Sequence, residues 1–177
     1  VHGSFRDYDA VYAFGKNCDL LTIEIEHVNT EALEQLEKES VLVYPSSRVI
    51  RLVQDKGAQK IFYRTHGIPT APFQLADNRA MLVSQTREFP VIQKLRTGGY
   101  DGRGVQLLRD QDSLSGAFDE PSVVEQVVDF TKELSVIVAR NTSGECKTFP
   151  VVEMEFNPEA NLVEYLFAPA SVSAETE

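Results

Sequence analysis

The sequence has few of the residues that hold metals or form disulfides. Its 177 residues include two cysteines and three histidines, and neither Cys18 nor Cys146 has a spacing typical of a metal ligand. We expect both to be reduced, buried thiols of a cytosolic protein. His2, His27 and His66 are isolated, so we expect structural or surface roles for them. These scarcities argue against a zinc protein and against a disulfide scaffold.

Long apolar segments and an excess of positive charge are also missing. No apolar run approaches the roughly 20 residues that a membrane span needs, and no signal peptide is found at the N-terminus. The chain has 17 Lys and Arg against 27 Asp and Glu, which argues against general nucleic-acid binding. It begins with Val1 and continues as a domain interior would, so we expect it to be part of a longer chain.

The first third alternates between strand and helix patterns, which is typical of an α/β layer. The predicted elements there are a strand over Asp19–Val28, a helix capped by Asn29 or Thr30, a strand over Val41–Tyr44, and two helices between Ser46 and His66 that meet at Gly57.

The remainder follows Gly67 and Pro69, which are typical of a helix end. The predicted elements are strands over Pro72–Leu75, Pro90–Leu95, Gly104–Leu108, Val123–Val128, Glu133–Arg140, Thr148–Met154 and Asn161–Phe167, with a helix over Arg79–Glu88. We therefore predict antiparallel β-structure for the last third.

One loop stands out, K-L-R-T-G-G-Y-D-G-R-G-V over Lys94–Val105. It could be a mobile β-hairpin, since Asp-Gly is a good turn dipeptide. It could equally be a phosphate-binding loop, because glycine lets backbone N–H groups approach an anion and cations flank it. It is neither a Walker A loop nor a dinucleotide fingerprint. The residues alone leave both interpretations open.

The surroundings of the loop resemble the ATP-grasp fold, with Lys94 on the strand before it and Glu125 and Glu133 on later strands. At family level the chain resembles the N5-carboxyaminoimidazole ribonucleotide synthetases along nearly its whole length. The resemblance rests on T-I-E-I-E-H-V, Y-P-S-S-R-V-I-R-L-V-Q-D-K, G-I-P-T-A-P-F, G-G-Y-D-G-R-G, E-Q-V-V-D-F-T-K-E-L-S, F-P-V-V-E and A-P-A. One departure is Phe156, where the family usually has a histidine.

The resemblance implies a mixed α/β and α+β fold in three parts. Residues 1–72 would be the end of a Rossmann-like pre-ATP-grasp domain with linker helices. Residues 73–128 would be the β-hairpin lid subdomain with the glycine-rich loop. Residues 129–177 would start a second, antiparallel ATP-grasp subdomain.

The resemblance also implies roles for particular residues. Lys56 and Lys94 would contact ATP phosphates, and Glu133 would accept hydrogen bonds from the ribose hydroxyls. The adenine hinge would be Glu125, Gln126, Val127 and Val128. The lid loop over the phosphates would be Gly99, Tyr100, Asp101, Gly102, Arg103, Gly104 and Val105. Tyr100, Asp101 and Arg103 would also meet the nucleotide acceptor.

Each role has a simpler alternative. Lys94 could be a solvated strand lysine, Glu133 could pair with Lys132 or another surface cation, and Tyr100 could be loop packing. Glu24 and Glu26 could touch substrate, but we expect them to be structural.

The implied reaction is the ATP-dependent carboxylation of 5-aminoimidazole ribonucleotide with bicarbonate, through carboxyphosphate, in purine biosynthesis. The expected cofactors are ATP and Mg²⁺, with the metal ligands and catalytic residues beyond Glu177 and the fragment inactive alone. We expect a cytoplasmic homodimer at full length, without nucleic-acid or membrane partners. The alternatives are an ATP-grasp ligase or carboxylase with another acceptor, and a nucleotide-binding fragment without catalysis.

Overall fold

The computed structural model describes residues 2–99, 102–157 and 162–173. The chain divides into two compact units, one formed by Val1–Gly99 with Gly104–Val127 and the other by Tyr100–Arg103 with Val128–Glu177. One parallel strand pair with helices and several antiparallel sheets make up the fold. The predicted mixture of α/β and α+β structure is therefore confirmed.

The first unit begins with an α/β layer. Its elements are α1 Tyr8–Gly15, β1 Leu20–Thr22, α2 Thr30–Lys38 and β2 Leu42–Tyr44, and the two strands pair in parallel. Asn29 caps α2 by accepting a hydrogen bond from the N–H of Ala32. Apolar residues of these elements form one core, with Ala32, Leu33 and Leu36 fully buried. Helix α1, which the sequence reading missed, is capped by Asp7.

The predicted strand over Asp19–Val28 is too long, because β1 ends at Thr22. Beyond it the chain bends, and the side-chain amide of Gln54 donates to the carbonyls of Glu26 and Val28 at 2.6 and 2.8 Å. These carbonyls are thus satisfied by a side chain and not by a neighbouring strand.

Two helices follow, α3 Ser47–Gln54 and α4 Lys56–Thr65, and they meet at Asp55 and not at Gly57. Asp55 has an extended backbone, and its carboxylate accepts hydrogen bonds from the N–H groups of Gly57 and Ala58 at 2.8 and 3.1 Å. An acidic N-cap of this kind begins a new helix, which is why the boundary precedes the glycine.

A four-stranded antiparallel sheet completes the first unit in the order β3–β6–β4–β5. Its strands are β3 Phe73–Ala76, β4 Val91–Leu95, β5 Val105–Leu108 and β6 Ser122–Gln126, with helix α5 Arg79–Gln85 and a short 3₁₀ helix over Asp112–Gly116. Helix α5 ends three residues before the predicted Glu88, because buried Thr86 takes an extended backbone. One face of this sheet packs on α5 through Ala76, Leu82, Val91, Leu108 and Val124.

The second unit is antiparallel, as predicted. Its strands are β7 Glu133–Ser135, β8 Val138–Arg140, β9 Cys146–Thr148, β10 Val152–Asn157 and β11 Leu162–Phe167, arranged as a β11–β10–β7 sheet and a β8–β9 hairpin. Two predicted strands are divided, because β7 pairs with β10 whereas β8 pairs with β9. Asn161, the predicted start of the last strand, lies outside the described residues.

Both cysteines are free, but the prediction that both are buried is wrong. Cys146 is exposed on the two-stranded β8–β9 hairpin, and Cys18 is partly buried. Among the helices that the structure describes, none is long and apolar enough to cross a membrane.

Candidate functional site

Strand alternation places Lys94 and Glu125 on one face of the four-stranded sheet. In β4, Val91 and Gln93 are buried on the face toward α5, so Lys94 projects from the other face. Glu125 lies opposite Ile92 in the register of β4 and β6, one diagonal step from Lys94. The ammonium of Lys94 donates to Oε2 of Glu125 at 3.0 Å. Lys94 is therefore ion-paired and not simply solvated.

A second lysine, Lys60 of α4, reaches the same carboxylate. Its Nζ lies 3.2 Å from Oε1 of Glu125 and donates to Oγ1 of Thr70 at 2.5 Å. The side chains of Lys60, Glu125 and Lys94 are 12%, 8% and 30% exposed. We call these three residues the lysine–glutamate cluster. A carboxylate this buried requires charged partners, and the sequence reading did not include Lys60.

The start of α4 is tied to the strand that leads into the glycine loop. Arg96 donates to both carboxylate oxygens of Asp55, at 2.9 and 2.6 Å, and its carbonyl accepts from the N–H of Lys56 at 2.9 Å. A Cβ at Gly57 would lie 2.5 Å from Nε of Arg96. Arg96 is thus held by Asp55 beside the helix N-terminus.

This arrangement shifts the pKa of the Asp55 carboxyl group. Burial acts to raise its pKa, but the hydrogen bonds from Arg96 and from the N–H groups of Ala58 and Gly57 outweigh burial, so the pKa is lowered. The same pairing raises the pKa of the Arg96 guanidinium. Both groups stay charged at neutral pH and hold each other in place.

Three of the four glycines of the loop are required by its backbone. Gly98, Gly102 and Gly104 have φ angles of 76°, 75° and 72°, a left-handed conformation that glycine takes at little cost. A Cβ at Gly104 would lie 3.0 Å from Cδ1 of Leu95 and 3.2 Å from Cα of Gly99. This conformation accounts for these three glycines with or without a bound phosphate, so phosphate binding stays a prediction.

The other predicted loop residues flank this region. The ammonium of Lys56 lies 3.5 Å from the carbonyl oxygen of Gly99, and Val105 begins β5. Arg103 lies between Gly102 and Gly104 in the chain. Tyr100 and Asp101 lie outside the described residues, and their roles stay predictions.

The predicted hinge residues lie at the end of β6. Gln126 donates through its N–H to the carbonyl of Pro72 at 3.0 Å, and the exposed Val127 and Val128 follow it. The side chain of Glu125 is bound by the two lysines, and Glu125 pairs with Phe73 of β3 and with Ile92 of β4. The adenine contact of these residues stays a prediction.

Glu133 begins β7 in the second unit and is half-buried. The ammonium of the neighbouring Lys132 donates to both carboxylate oxygens of Glu153, at 2.7 and 2.9 Å. Lys132 is therefore paired with Glu153, and the simpler alternative of a Lys132–Glu133 pair is not observed. Phe156 lies at a β-bulge in the pairing of β10 with β11. In the ranges that the structure describes, no group of three His, Cys, Asp or Glu side chains could hold a metal ion.

A four-stranded antiparallel sheet with a glycine-rich loop between β4 and β5, followed along the chain by a second antiparallel unit, is the arrangement expected of an ATP-grasp protein. The model of the ATP-grasp domain matches residues 61–177, and the model of the ribonucleotide synthetase preATP-grasp domain matches residues 1–54. The chain belongs to the ATP-grasp family.

Its relatives include purine-biosynthesis enzymes. Phosphoribosylaminoimidazole carboxylase of Saccharomyces cerevisiae is 35% identical over 97% of this chain and 32% of that protein. N5-carboxyaminoimidazole ribonucleotide synthase of Synechococcus elongatus is 34% identical over 97% of this chain and 45% of that protein. The chain thus spans 32% to 45% of the length of these relatives.

Solved structures agree with this similarity. Carboxyaminoimidazole ribonucleotide synthase from Aspergillus clavatus, complexed with ATP, matches with a TM-score of 0.87 and 35% identity over 99% of this chain and 47% of that one. The same enzyme in complex with ADP and 5-aminoimidazole ribonucleotide matches with a TM-score of 0.85 and 34% identity over 98% of this chain and 46% of that one. The predicted resemblance to N5-carboxyaminoimidazole ribonucleotide synthetases is confirmed.

Proposed function

We propose that the protein containing this chain is an ATP-dependent ligase that carboxylates 5-aminoimidazole ribonucleotide with bicarbonate, forming N5-carboxyaminoimidazole ribonucleotide, ADP and phosphate. The observation that carries the proposal is the match of 98% of this chain to an enzyme solved with ADP and that same acceptor. The lysine–glutamate cluster supports it, because a phosphoryl-transfer site needs fixed positive charge where polyphosphate binds.

The proposed ATP contacts fall on described residues of the chain, except for Tyr100 and Asp101. Lys94 and Lys56 bind the phosphates, with backbone N–H groups of Gly99–Val105 above them. The backbone of Glu125–Val128 binds adenine, and Glu133 accepts hydrogen bonds from the ribose hydroxyls. The preorganised ion pairs of the first unit support the phosphate contacts, because they hold Lys94 and the start of α4 without ligand.

The proposed acceptor contacts lie in the same loop. Tyr100 and Asp101 contact the polar groups of 5-aminoimidazole ribonucleotide, and Arg103 binds its phosphate. An acid beside a polyphosphate is unfavourable without another partner, and the acceptor supplies one for Asp101.

The reaction proceeds in two steps. An oxygen of bicarbonate attacks the γ-phosphorus of ATP, giving carboxyphosphate and ADP. The exocyclic amine of the acceptor then attacks the carboxyl carbon, phosphate leaves with its C–O bond broken, and the amine loses a proton. The lid loop excludes water, which would otherwise hydrolyse carboxyphosphate.

Mg²⁺ belongs to this chemistry because it neutralises charge on the transferring phosphoryl group. The described residues of this chain offer no cluster of three metal-ligating side chains. The domain division at residues 72 and 128 and the homodimer are likewise proposals, which limited proteolysis and sedimentation of the whole protein would test.

The proposed acceptor is tested by ADP release from the whole protein with ATP, bicarbonate and Mg²⁺ present. Addition of 5-aminoimidazole ribonucleotide should raise the rate of ADP release at least about 10-fold over the rate without acceptor, because the ligand completes the closed site. An equal rate with and without this nucleotide, but stimulation by another acceptor, would instead favour a different ATP-grasp ligase.

A further inference from the structure

Lys60 is a largely buried lysine that makes none of the proposed ATP contacts. Its side chain is 12% exposed, although lysine is almost never buried unless it is paired. It contacts Glu125 and Thr70, and its ammonium lies 5.9 Å from the centre of the Phe73 ring. These contacts hold the ammonium on the sheet face that carries Lys94.

The carboxylate of Glu125 divides its oxygens between the two lysines. Oε1 faces Lys60 at 3.2 Å, whereas Oε2 accepts from Lys94 at 3.0 Å. An ammonium has three N–H donors, so a single bond to Oε2 leaves Lys94 with donors for ligand oxygens. Lys94 is also the most exposed of the three side chains, at 30%.

The charges of the cluster explain why a second lysine matters. Two ammonium groups and one carboxylate sum to a charge of +1, and the most exposed member, Lys94, is cationic. Without Lys60, Lys94 alone would balance Glu125, and the sum would be zero. A neutral ion pair attracts a polyphosphate far less than a net cation does, particularly where water is partly excluded.

We propose that Lys60 is a positioning residue for ATP. It neutralises Glu125 and occupies Oε1, so that Lys94 contacts one oxygen only and keeps its positive charge directed at phosphate. The inference rests on the proposed phosphate contact of Lys94 and extends it to a residue that does not itself touch the ligand.

The test is a double-mutant cycle on ATP affinity, measured by titration calorimetry on the whole protein. K60M should raise the Kd for ATP at least about 10-fold, because it leaves the buried carboxylate to Lys94. K60R keeps the charge and should stay within about 3-fold of wild type. In the E125Q background, K60M should change the Kd by less than about 3-fold, because no carboxylate is left to neutralise.

A matched control is R64M. Arg64 lies one turn further along α4, its Cζ is 5.1 Å from the centre of the Phe73 ring, and its side chain is exposed. R64M should bind ATP within about 2-fold of wild type. Adenosine affinity separates positioning from general damage, since K60M should weaken ATP but leave adenosine binding unchanged.

The outcomes distinguish the two proposals. If K60M and R64M have the same Kd for ATP while K94A binds ATP more weakly, the role of Lys60 is wrong but the phosphate contact of Lys94 stands. A K94A variant with wild-type ATP affinity would overturn the phosphate contact and the inference with it. Should K60M fail to fold, the K60M/E125Q double variant decides, since it buries no unpaired charge. A double variant that binds ATP more than about 3-fold more weakly than E125Q would contradict a role through Glu125.

Discussion

At the residue scale, the site is a set of charge pairs whose partners are distant in sequence. Family motifs predicted Lys56, Lys94, Glu125 and Glu133, but only the fold showed that the Glu125 side chain is bound by lysines. Lys60 did have a sequence signal. Lys56, Lys60 and Arg64 recur every four residues and therefore share one face of α4, which indicates a cationic stripe.

The ATP contacts can be tested residue by residue. Lys94→Ala should weaken ATP binding by about 1.5–3 kcal/mol, the range for a hydrogen bond to a charged group. Glu133→Ala should weaken ATP through lost ribose contacts but leave tripolyphosphate binding unchanged. Titration calorimetry on the whole protein measures both, and wild-type ATP affinity in both variants would show that the lid and ribose assignments are wrong.

For Asp101, the acidic residue of the loop, we predict a defect in acceptor binding. Asp101→Ala should lower kcat/KM for 5-aminoimidazole ribonucleotide at least about 10-fold, or about 1.4 kcal/mol, while ATP affinity stays within a few-fold because the loss is a contact to the acceptor. Arg103→Ala should impair both substrates, since its cation suits phosphate on either ligand. Steady-state kinetics with each substrate varied in turn decide this, and an Asp101→Ala defect confined to ATP would contradict an acceptor contact.

At the element scale, helix starts followed from local chemistry better than strand ends did. Asn29 or Thr30 was predicted to cap α2, and Asn29 does so, because an N-cap acts on backbone N–H groups two or three residues ahead. The division of Glu133–Arg140 between β7 and β8 was not predictable from alternation, since it follows from a change of partner strand. The helix junction at Asp55 depends on a local interaction, the N-cap of α4, and on a partner distant in sequence, Arg96.

Asp55 should make the stability of the first unit depend on pH. Its pKa is lowered in the folded state, so its pairing stabilises the fold above the unfolded-state pKa of about 4 and is lost as the pH falls through the folded pKa. Asp55→Asn keeps a helix cap but loses the charge, so its deficit in unfolding free energy should be present at pH 7 and shrink below about pH 4. Urea denaturation of both proteins across this range measures it.

Two control variants complete that measurement. Asp55→Ala should lower the free energy of unfolding by about 0.5–2 kcal/mol more than a surface substitution does, because the N-cap of α4 is lost as well. Asp9→Asn, in the first turn of α1, should change the unfolding free energy by less than about 0.5 kcal/mol. A pH-independent deficit in Asp55→Asn would refute the charge contribution.

At the scale of the whole molecule, the chain covers only part of the length of its relatives, 32% and 45% in the two enzymes compared. We therefore predict that the 177-residue chain alone shows no ADP release stimulated by 5-aminoimidazole ribonucleotide. Measurable stimulated release from the pure fragment would disprove this.

The central claim is that ATP activates bicarbonate for carboxylation, and isotope transfer tests it most directly. The whole protein is supplied with ¹⁸O-labelled bicarbonate, ATP and 5-aminoimidazole ribonucleotide, and the phosphate produced is analysed by mass spectrometry. Because phosphate leaves carboxyphosphate with the oxygen that attacked ATP, each phosphate should carry one ¹⁸O from bicarbonate, and ADP should form in equal amount with the carboxylated product. Unlabelled phosphate accompanying the carboxylated product would contradict the account.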